Sequence, residues 1–276
     1  LIGIVSLATL VVSDKGTKIK DVMITDYVYE HVDDDQEDVS EDFKKYGYLA
    51  IPVVDKEHRL VGIITFDDIL DVMEDEATED IERMNGVIDF DDSDRDYLDT
   101  PVIRHAMNRL PWLVILMVAY IFTGGIIKNF ESSLSKVIEL VAFMPMLMGT
   151  GGNSGSQAAT LIIRGLATDE VDTDDAFKIL WKEFRVGIII GGLLSILNYL
   201  RIYFIDGIHN PGIALTVCVS MIFIVIFAKI IGSMIPILVK KINLDPALIA
   251  NPAISSVSDA VALSIYFAMA SIFLNL

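Results

Sequence analysis

The spacing of apolar positions changes character near residue 110. Before it, short β-branched runs alternate with polar turns. Ile51-Pro52-Val53-Val54-Asp55 and Arg59–Thr65 predict two strands around the turn Lys56-Glu57-His58. The run Leu60 to Ile69 repeats the pattern of Leu1 to Leu10: a short strand, a Ser or Thr placed to cap a helix, then an amphipathic turn. Thr65 with Asp68 three residues on resembles a capping box. Residues 74–109 show near-helical spacing interrupted around Gly86 and the acidic run Asp89 to Asp99, which predicts a connecting helix, a break and a second helix.

After residue 110 the apolar runs are long. Leu110–Ile127 and Leu140–Ile163 carry no charge, and Val186–Leu200 extends to Ile205 if Arg201 snorkels. Gly212–Val239 is interrupted only by Lys229, and Pro246–Leu276 only by Asp259. A helix crosses the hydrocarbon core with about 20 apolar residues, so five spans are expected. Burying five such helices in a soluble core would leave them almost no polar face, which disfavours that alternative.

Charge sharpens this division. Residues 1–110 hold 28 acidic and 11 basic side chains, whereas the rest of the chain holds 11 and 10. An acidic half of that strength repels nucleic-acid phosphates and gathers cations, so nucleic acid is excluded as a partner. Arg104, Arg109, Arg164, Lys178, Lys182, Arg185, Lys240 and Lys241 flank one side of the five spans; Lys128, Lys136 and Arg201 flank the other. The bias predicts a multi-pass protein of the cell membrane with its acidic half in the cytoplasm and its C-terminus outside. Cys218 is the single cysteine, which fits a reducing compartment. Leu1 opens directly on a strand-like run, so a preceding portion of a domain is expected to be missing.

Four features carry candidate chemistry. Asp259 has 13 uncharged residues before it and 17 after it. A carboxylate at that depth costs about 2.5–3.5 kcal/mol on insertion scales, so it should face an ion path or, if protonated, bond to another helix. Asp245-Pro246 and Asn251-Pro252 put two prolines into what reads as the same span, freeing backbone carbonyls. In the second span, Gly149-Thr150-Gly151-Gly152-Asn153-Ser154-Gly155-Ser156-Gln157 is poor lipid-facing helix and predicts a discontinuous segment, with a close-packing Gly-x-x-x-Gly face as the alternative. It is not a phosphate-binding loop, a dinucleotide fingerprint or a nucleophile elbow, and no span holds a histidine to serve as base; an enzyme is not expected. Nine carboxylates between Asp67 and Glu82 form a face that is either simply solvated or holds hard cations such as Mg²⁺, Ca²⁺ or Mn²⁺. Lys229 either pairs with a carboxylate or snorkels.

The strand–turn–strand–helix pattern resembles a cystathionine-β-synthase (CBS) domain, with residues 17–73 one copy and residues 1–16 the tail of another. CBS pairs often bind adenine nucleotides or sense ions, and many only dimerise. The segments 149–167, Asp245-Pro246-Ala247, Asn251-Pro252, Ser258-Asp259 and Arg109-Leu110-Pro111-Trp112 resemble the MgtE family of Mg²⁺ channels, as does Glu76-Ala77-Thr78-Glu79-Asp80. The resemblance covers essentially the whole chain. It implies an α-helical polytopic membrane domain of five spans (residues 110–276), a connecting plug region (residues 74–109) and an α/β CBS domain, assembled as a homodimer. It further implies a pore at the dimer axis lined by the second and fifth spans. Asp259 matches the pore aspartate and Asn251 a polar neighbour. Gly152 and Gly155 would present carbonyls, with Asn153 in the same segment. Asp68, Asp71, Glu76, Glu79 and Asp80, with Asp245 at the inner mouth, match regulatory Mg²⁺ positions. Bound Mg²⁺ would draw the acidic surfaces together and close the pore.

Mg²⁺ import through a gated channel is therefore the expected function. The alternative is a proton-coupled divalent-cation transporter for Mg²⁺, Co²⁺ or Mn²⁺ with Asp259 as the protonated site. A membrane scaffold ranks last, because nothing in that role requires an aspartate deep in a span.

Overall fold

A computed structural model describes every residue except 89–96, 132–134, 249–250 and 276. The chain forms two compact units, Leu1–Asp80 and Ile81–Leu276.

In the first unit, Leu7–Val12 (α1) is capped by Ser6, whose hydroxyl accepts from the Thr9 amide at 3.1 Å. That is the role the repeat predicts for this serine. Glu30–His31 (β1), Ala50–Val54 (β2) and Leu60–Thr65 (β3) form one sheet in that order, with β1 parallel to β2 and β2 antiparallel to β3. Gln36–Tyr46 (α2) makes the parallel crossover. Its ends follow from sequence: Asp35 caps the Glu37 amide, Glu37 and Asp38 favour the positive end, and Gly47 closes the helix at φ 65°. Val39 and Phe43, four residues apart, bury one face of α2 against Ile51 of β2 and Ile69 of the next helix. The expected turn is held by Asp55, whose Oδ1 accepts from the amides of Glu57 and Arg59 and whose Oδ2 accepts from Arg59 Nε. These contacts hold the Asp55 carboxyl below its usual range.

Phe66–Met84 (α3) follows β3 without a break. The expected boundary at residue 73 lies inside this helix, and the two units divide within it, after Asp80. Thr65 donates to Asp68 Oδ2 at 2.6 Å, so the expected cap is realised as a side-chain pair. The acidic run from residue 89 lies, up to residue 96, outside the described residues.

Glu30 is the one carboxylate buried in this sheet. It is 7% exposed, its Oε1 has no hydrogen-bond partner among the described residues, and Asp42 and Asp34 lie beside it. Burial first, and those two charges next, push it from its ordinary 4.5 up to about 7. A raised carboxylate binds more protons folded than unfolded, so its stabilising effect is complete below pH 4.5 and is lost as pH rises towards 7. Amide exchange of β1 and β2, corrected for intrinsic rates, should accelerate across that window. Glu30→Gln should remove the trend and protect these strands above pH 7 by on the order of 2 kcal/mol. An unchanged pH trend in the variant would refute this account.

The second unit is helical: Val102–Asn129 (α4), Met144–Ala167 (α5), Ala176–Phe204 (α6), Pro211–Lys241 (α7) and Asn251–Leu274 (α8). Among the described residues, four helical stretches are long and apolar enough to cross a membrane: Val102–Asn129, Thr173–Phe204, Pro211–Lys241 and Asn251–Leu274. At 24 residues α5 is about 36 Å long, enough to cross, but its polar and glycine content keeps it out of that set. The helix α7 is central, packed against α5, α6 and α8. Gly187 and Gly191 of α6 meet the backbone of Ile226 and Ile222 on α7, so the Gly-x-x-x-Gly face there is a packing face. The core is filled by Leu140, Phe143, Leu147, Val217, Ile224 and Phe267, with Tyr266 donating to the Leu140 carbonyl at 3.0 Å.

Two expectations are corrected. The helix α5 runs unbroken through Gly149–Gln157. Its glycines cost backbone entropy but allow neighbouring helices to approach closely, and Thr150 returns its hydroxyl to the Met146 carbonyl. The prolines of the last segment do not share one helix either. Pro246 begins a separate 3-10 turn, Pro246–Leu248, and Pro252 lies in the first turn of α8, where no amide is needed.

Candidate functional site

The antiparallel seam between α5 and α8 gathers most of the expected path residues. Asn251, Ser255 and Asp259 recur every fourth residue and so form one column along α8. Opposite them lie Gly152 and Ser156 of α5. A Cβ on Gly152 would stand 3.2 Å from Ser255 Oγ and 3.5 Å from Asp259 Oδ1. The missing side chain lets Ser255 pack closely on α5, with Asp259 in ordinary contact beside it. The Ser156 and Ser255 hydroxyls are 3.1 Å apart, and Ser156 also donates to the Asn251 carbonyl at 3.4 Å. Asn251 Oδ1 is buried with no partner among the described residues, an unused hard acceptor in the same column. All these donors are oxygens, as a hard divalent cation requires.

Asn153 is exposed and sits with Ser156, Gln157 and Thr160 along a shallow groove of about 590 Å³. A polar groove on a membrane-length helix needs water or another polar surface over it. Gly155 is placed differently. It is buried where α5 crosses α7: a Cβ on Gly232 would lie 2.0 Å from its carbonyl oxygen, and one on Gly155 would lie 2.8 Å from Ser258 Oγ. Ser255 was not among the expected residues, and Ser156 was expected only as part of the segment Gly149–Gln157. The four-residue spacing Asn251–Ser255–Asp259 was the available signal.

Lys229 is paired, not snorkelled. Its Nζ lies 3.7 Å from Glu183 Oε2 of α6, with side chains 5% and 13% exposed. Two opposite charges this deep neutralise one another within the helix bundle.

The acidic positions divide between the units. In the first, Asp68 is bonded to Thr65, and Glu76 Oε1 accepts from Gln36 Nε2 at 2.6 Å; Asp71, Glu79 and Asp80 share α3 with them. Their oxygens suit Mg²⁺, but among the described residues no three His, Cys, Asp or Glu side chains converge as a metal cage. In the second unit, Asp245 Oδ1 accepts from the Ala247 amide at 2.8 Å and Oδ2 pairs with Arg83 at 3.3 Å.

The chain thus joins a small α/β unit to a bundle of membrane-length helices, one seam of which carries a column of oxygen-bearing side chains. The comparisons agree. Residues 144–269 match the family model described as MgtE, divalent cation transporter, and residues 19–75 match the CBS domain. Proteins named "Magnesium transporter MgtE" are 42% identical over 99% of this chain in Thermus thermophilus and 36% identical over 100% of it in Bacillus subtilis. A third, from Enterococcus faecalis, is 34% identical over 100% of the chain. The chain belongs to the MgtE family. It spans 59% of the length of each of these relatives. A crystal structure of the soluble part of a magnesium transporter overlaps 28% of this chain and 30% of its own, at 47% identity and a TM-score of 0.28.

Proposed function

We propose that this chain forms the transport portion of a Mg²⁺ transporter of the cell membrane, acting as a channel and not as an enzyme. The observation that carries the reading is the column Asn251–Ser255–Asp259 facing the side-chain-free Gly152. Mg²⁺ dehydrates reluctantly, and a carboxylate beside hydroxyls and amide oxygens can hold it through its waters. Five spans are proposed, α5 being counted as the second beside the four apolar helices. Its Asn153–Gln157–Thr160 groove gives a polar face that lipid cannot satisfy, and a second copy of the chain would cover it with the same face. The basic flanks support an acidic half in the cytoplasm and a C-terminus outside.

Gating by cytoplasmic Mg²⁺ is the finer part of the reading. Nine carboxylates crowd residues 67–82, and like charges at helical spacing repel until cations lie among them. With no three-ligand cage among the described residues of one chain, such cations would be shared with acidic surfaces elsewhere in the assembly. Adenine nucleotide is the second ligand class proposed for the CBS unit.

Proteoliposomes loaded with an Mg²⁺ indicator test the function. A channel should pass Mg²⁺ down its own gradient at a rate set by membrane potential and indifferent to an imposed pH gradient. Flux that follows the pH gradient at fixed potential would replace this reading with the proton-coupled transporter.

A further inference from the structure

The end of α3 is fastened to the membrane helices over a few consecutive residues, each to a different place. Arg83 meets Asp245, which stands just ahead of α8. Met84 packs among Ala159 and Ile163 of α5 and Ile254 of α8, the two helices of the seam. Gly86 turns at φ +74° directly under the Trp112 indole of α4, where a Cβ would lie 1.8 Å from the ring. The Ile88 amide donates to the Asn108 carbonyl at 2.9 Å. Residues 83–88 therefore lie over the end of the seam where Asn251 begins α8.

The charge arrangement at this place is specific. An acidic side chain at the end of a cation path is an obvious place for a cation to pause. Here both oxygens of Asp245 are engaged, Oδ1 by the Ala247 amide and Oδ2 by the Arg83 guanidinium. Apart from Arg83, the residues of α3 from Asp67 to Glu82 carry no positive charge at all. A lone arginine at the end of a strongly acidic helix, placed against the acid at the path's end, does what a bound cation would do there. It neutralises Asp245 and holds the helix end down.

Resting on the cation-path reading of the α5–α8 seam, we propose that Arg83 is a built-in cation for Asp245, keeping the end of α3 docked over the path without a divalent ion at that carboxylate. Both side chains are 38% exposed, so the pair is screened and its effect is modest, roughly two- to five-fold in the docked population. Met84 and the Gly86–Trp112 contact supply the remaining hold.

The whole chain in proteoliposomes tests this, with no Mg²⁺ on the side bearing residues 1–80. Arg83→Gln should raise Mg²⁺ flux roughly two- to five-fold, Arg83→Lys should stay near the parent, and Asp245→Asn should match Arg83→Gln. The double variant Arg83→Gln/Asp245→Asn should exceed neither single one. Unchanged flux in Arg83→Gln, or independent effects that multiply in the double variant, would overturn the proposal. Asp259→Asn serves as the separate control: if it conducts like the parent, the cation-path reading fails whatever Arg83 does. A readout free of transport is the emission of Trp112 in a Trp181→Phe background. Arg83→Gln should move it towards the red as water reaches the indole; an unmoved spectrum would count against docking by Arg83.

Discussion

Asp259→Asn should all but abolish Mg²⁺ flux while leaving the helices packed as they are. The exchange keeps the size of the side chain and one of its oxygens, and removes only the charge. Asp259 is half-buried in α8, between the α5 backbone at Gly152 and the open side of the seam. A hydrated divalent ion that leaves bulk water for the middle of a bilayer needs a countercharge there, because the cost of ions at that depth is several kcal/mol. Losing a charged acceptor of about 3 kcal/mol would lower the ion's occupancy, and with it the flux, roughly 100-fold or more. Ser255→Ala should act in the same direction and less strongly, since a hydroxyl contributes a neutral acceptor. Flux in proteoliposomes, with thermal unfolding of the same preparations, checks both halves of the statement. A folded Asp259→Asn protein that conducts at the parent's rate would remove Asp259 from the path.

Much of this site could be read from sequence because membrane depth makes a single charge conspicuous. Asp259 stands out in any apolar run, and so does Lys229. What hydropathy could not supply was partnership. Lys229 and Glu183 are 46 positions apart and meet only because α6 and α7 pack antiparallel through Gly187 and Gly191. The second span misled for a related reason. Four glycines and several polar residues between 149 and 157 resemble a break when judged by helix propensity, which describes an isolated helix. In the folded bundle each of Gly151, Gly152 and Gly155 faces another helix at near contact, and packing outweighs propensity. In the first unit, the cap at Ser6 and the turn after Asp55 were local and legible. The continuity of α3 was not, because a helix that leaves one compact unit and enters another carries no stop signal at the boundary. The docking of residues 83–88 was equally hidden. It depends on Gly86 fitting beneath Trp112, a contact between positions 26 residues apart.

The tightest of these approaches carries the second large prediction. Gly232→Ala, the addition of one methyl group, should unfold or rearrange the membrane bundle. At Gly232 a Cβ would stand 2.0 Å from the Gly155 carbonyl oxygen and 2.7 Å from its carbonyl carbon. Both atoms are backbone, so no rotamer change relieves the clash, and α5 and α7 must move apart along their crossing. Overpacking of this kind costs about 1–3 kcal/mol where side chains can yield, and should exceed that range here. The control is Gly192→Ala on α6, where no atom lies within 4 Å and the same methyl should be tolerated. Thermal unfolding in detergent, followed by helical circular dichroism, separates the two; equal midpoints would show that the crossing is looser than described. The functional consequence follows from the same geometry. The helix α5 is held between α7 and α8, with Gly155 against Gly232 on one side and Gly152 against Ser255 and Asp259 on the other. Displacing α5 from α7 by even an ångström changes how far Asp259 reaches into the seam. Any Gly232→Ala protein that survives should therefore pass Mg²⁺ more slowly than Gly192→Ala, although Gly232 touches no residue of the proposed path.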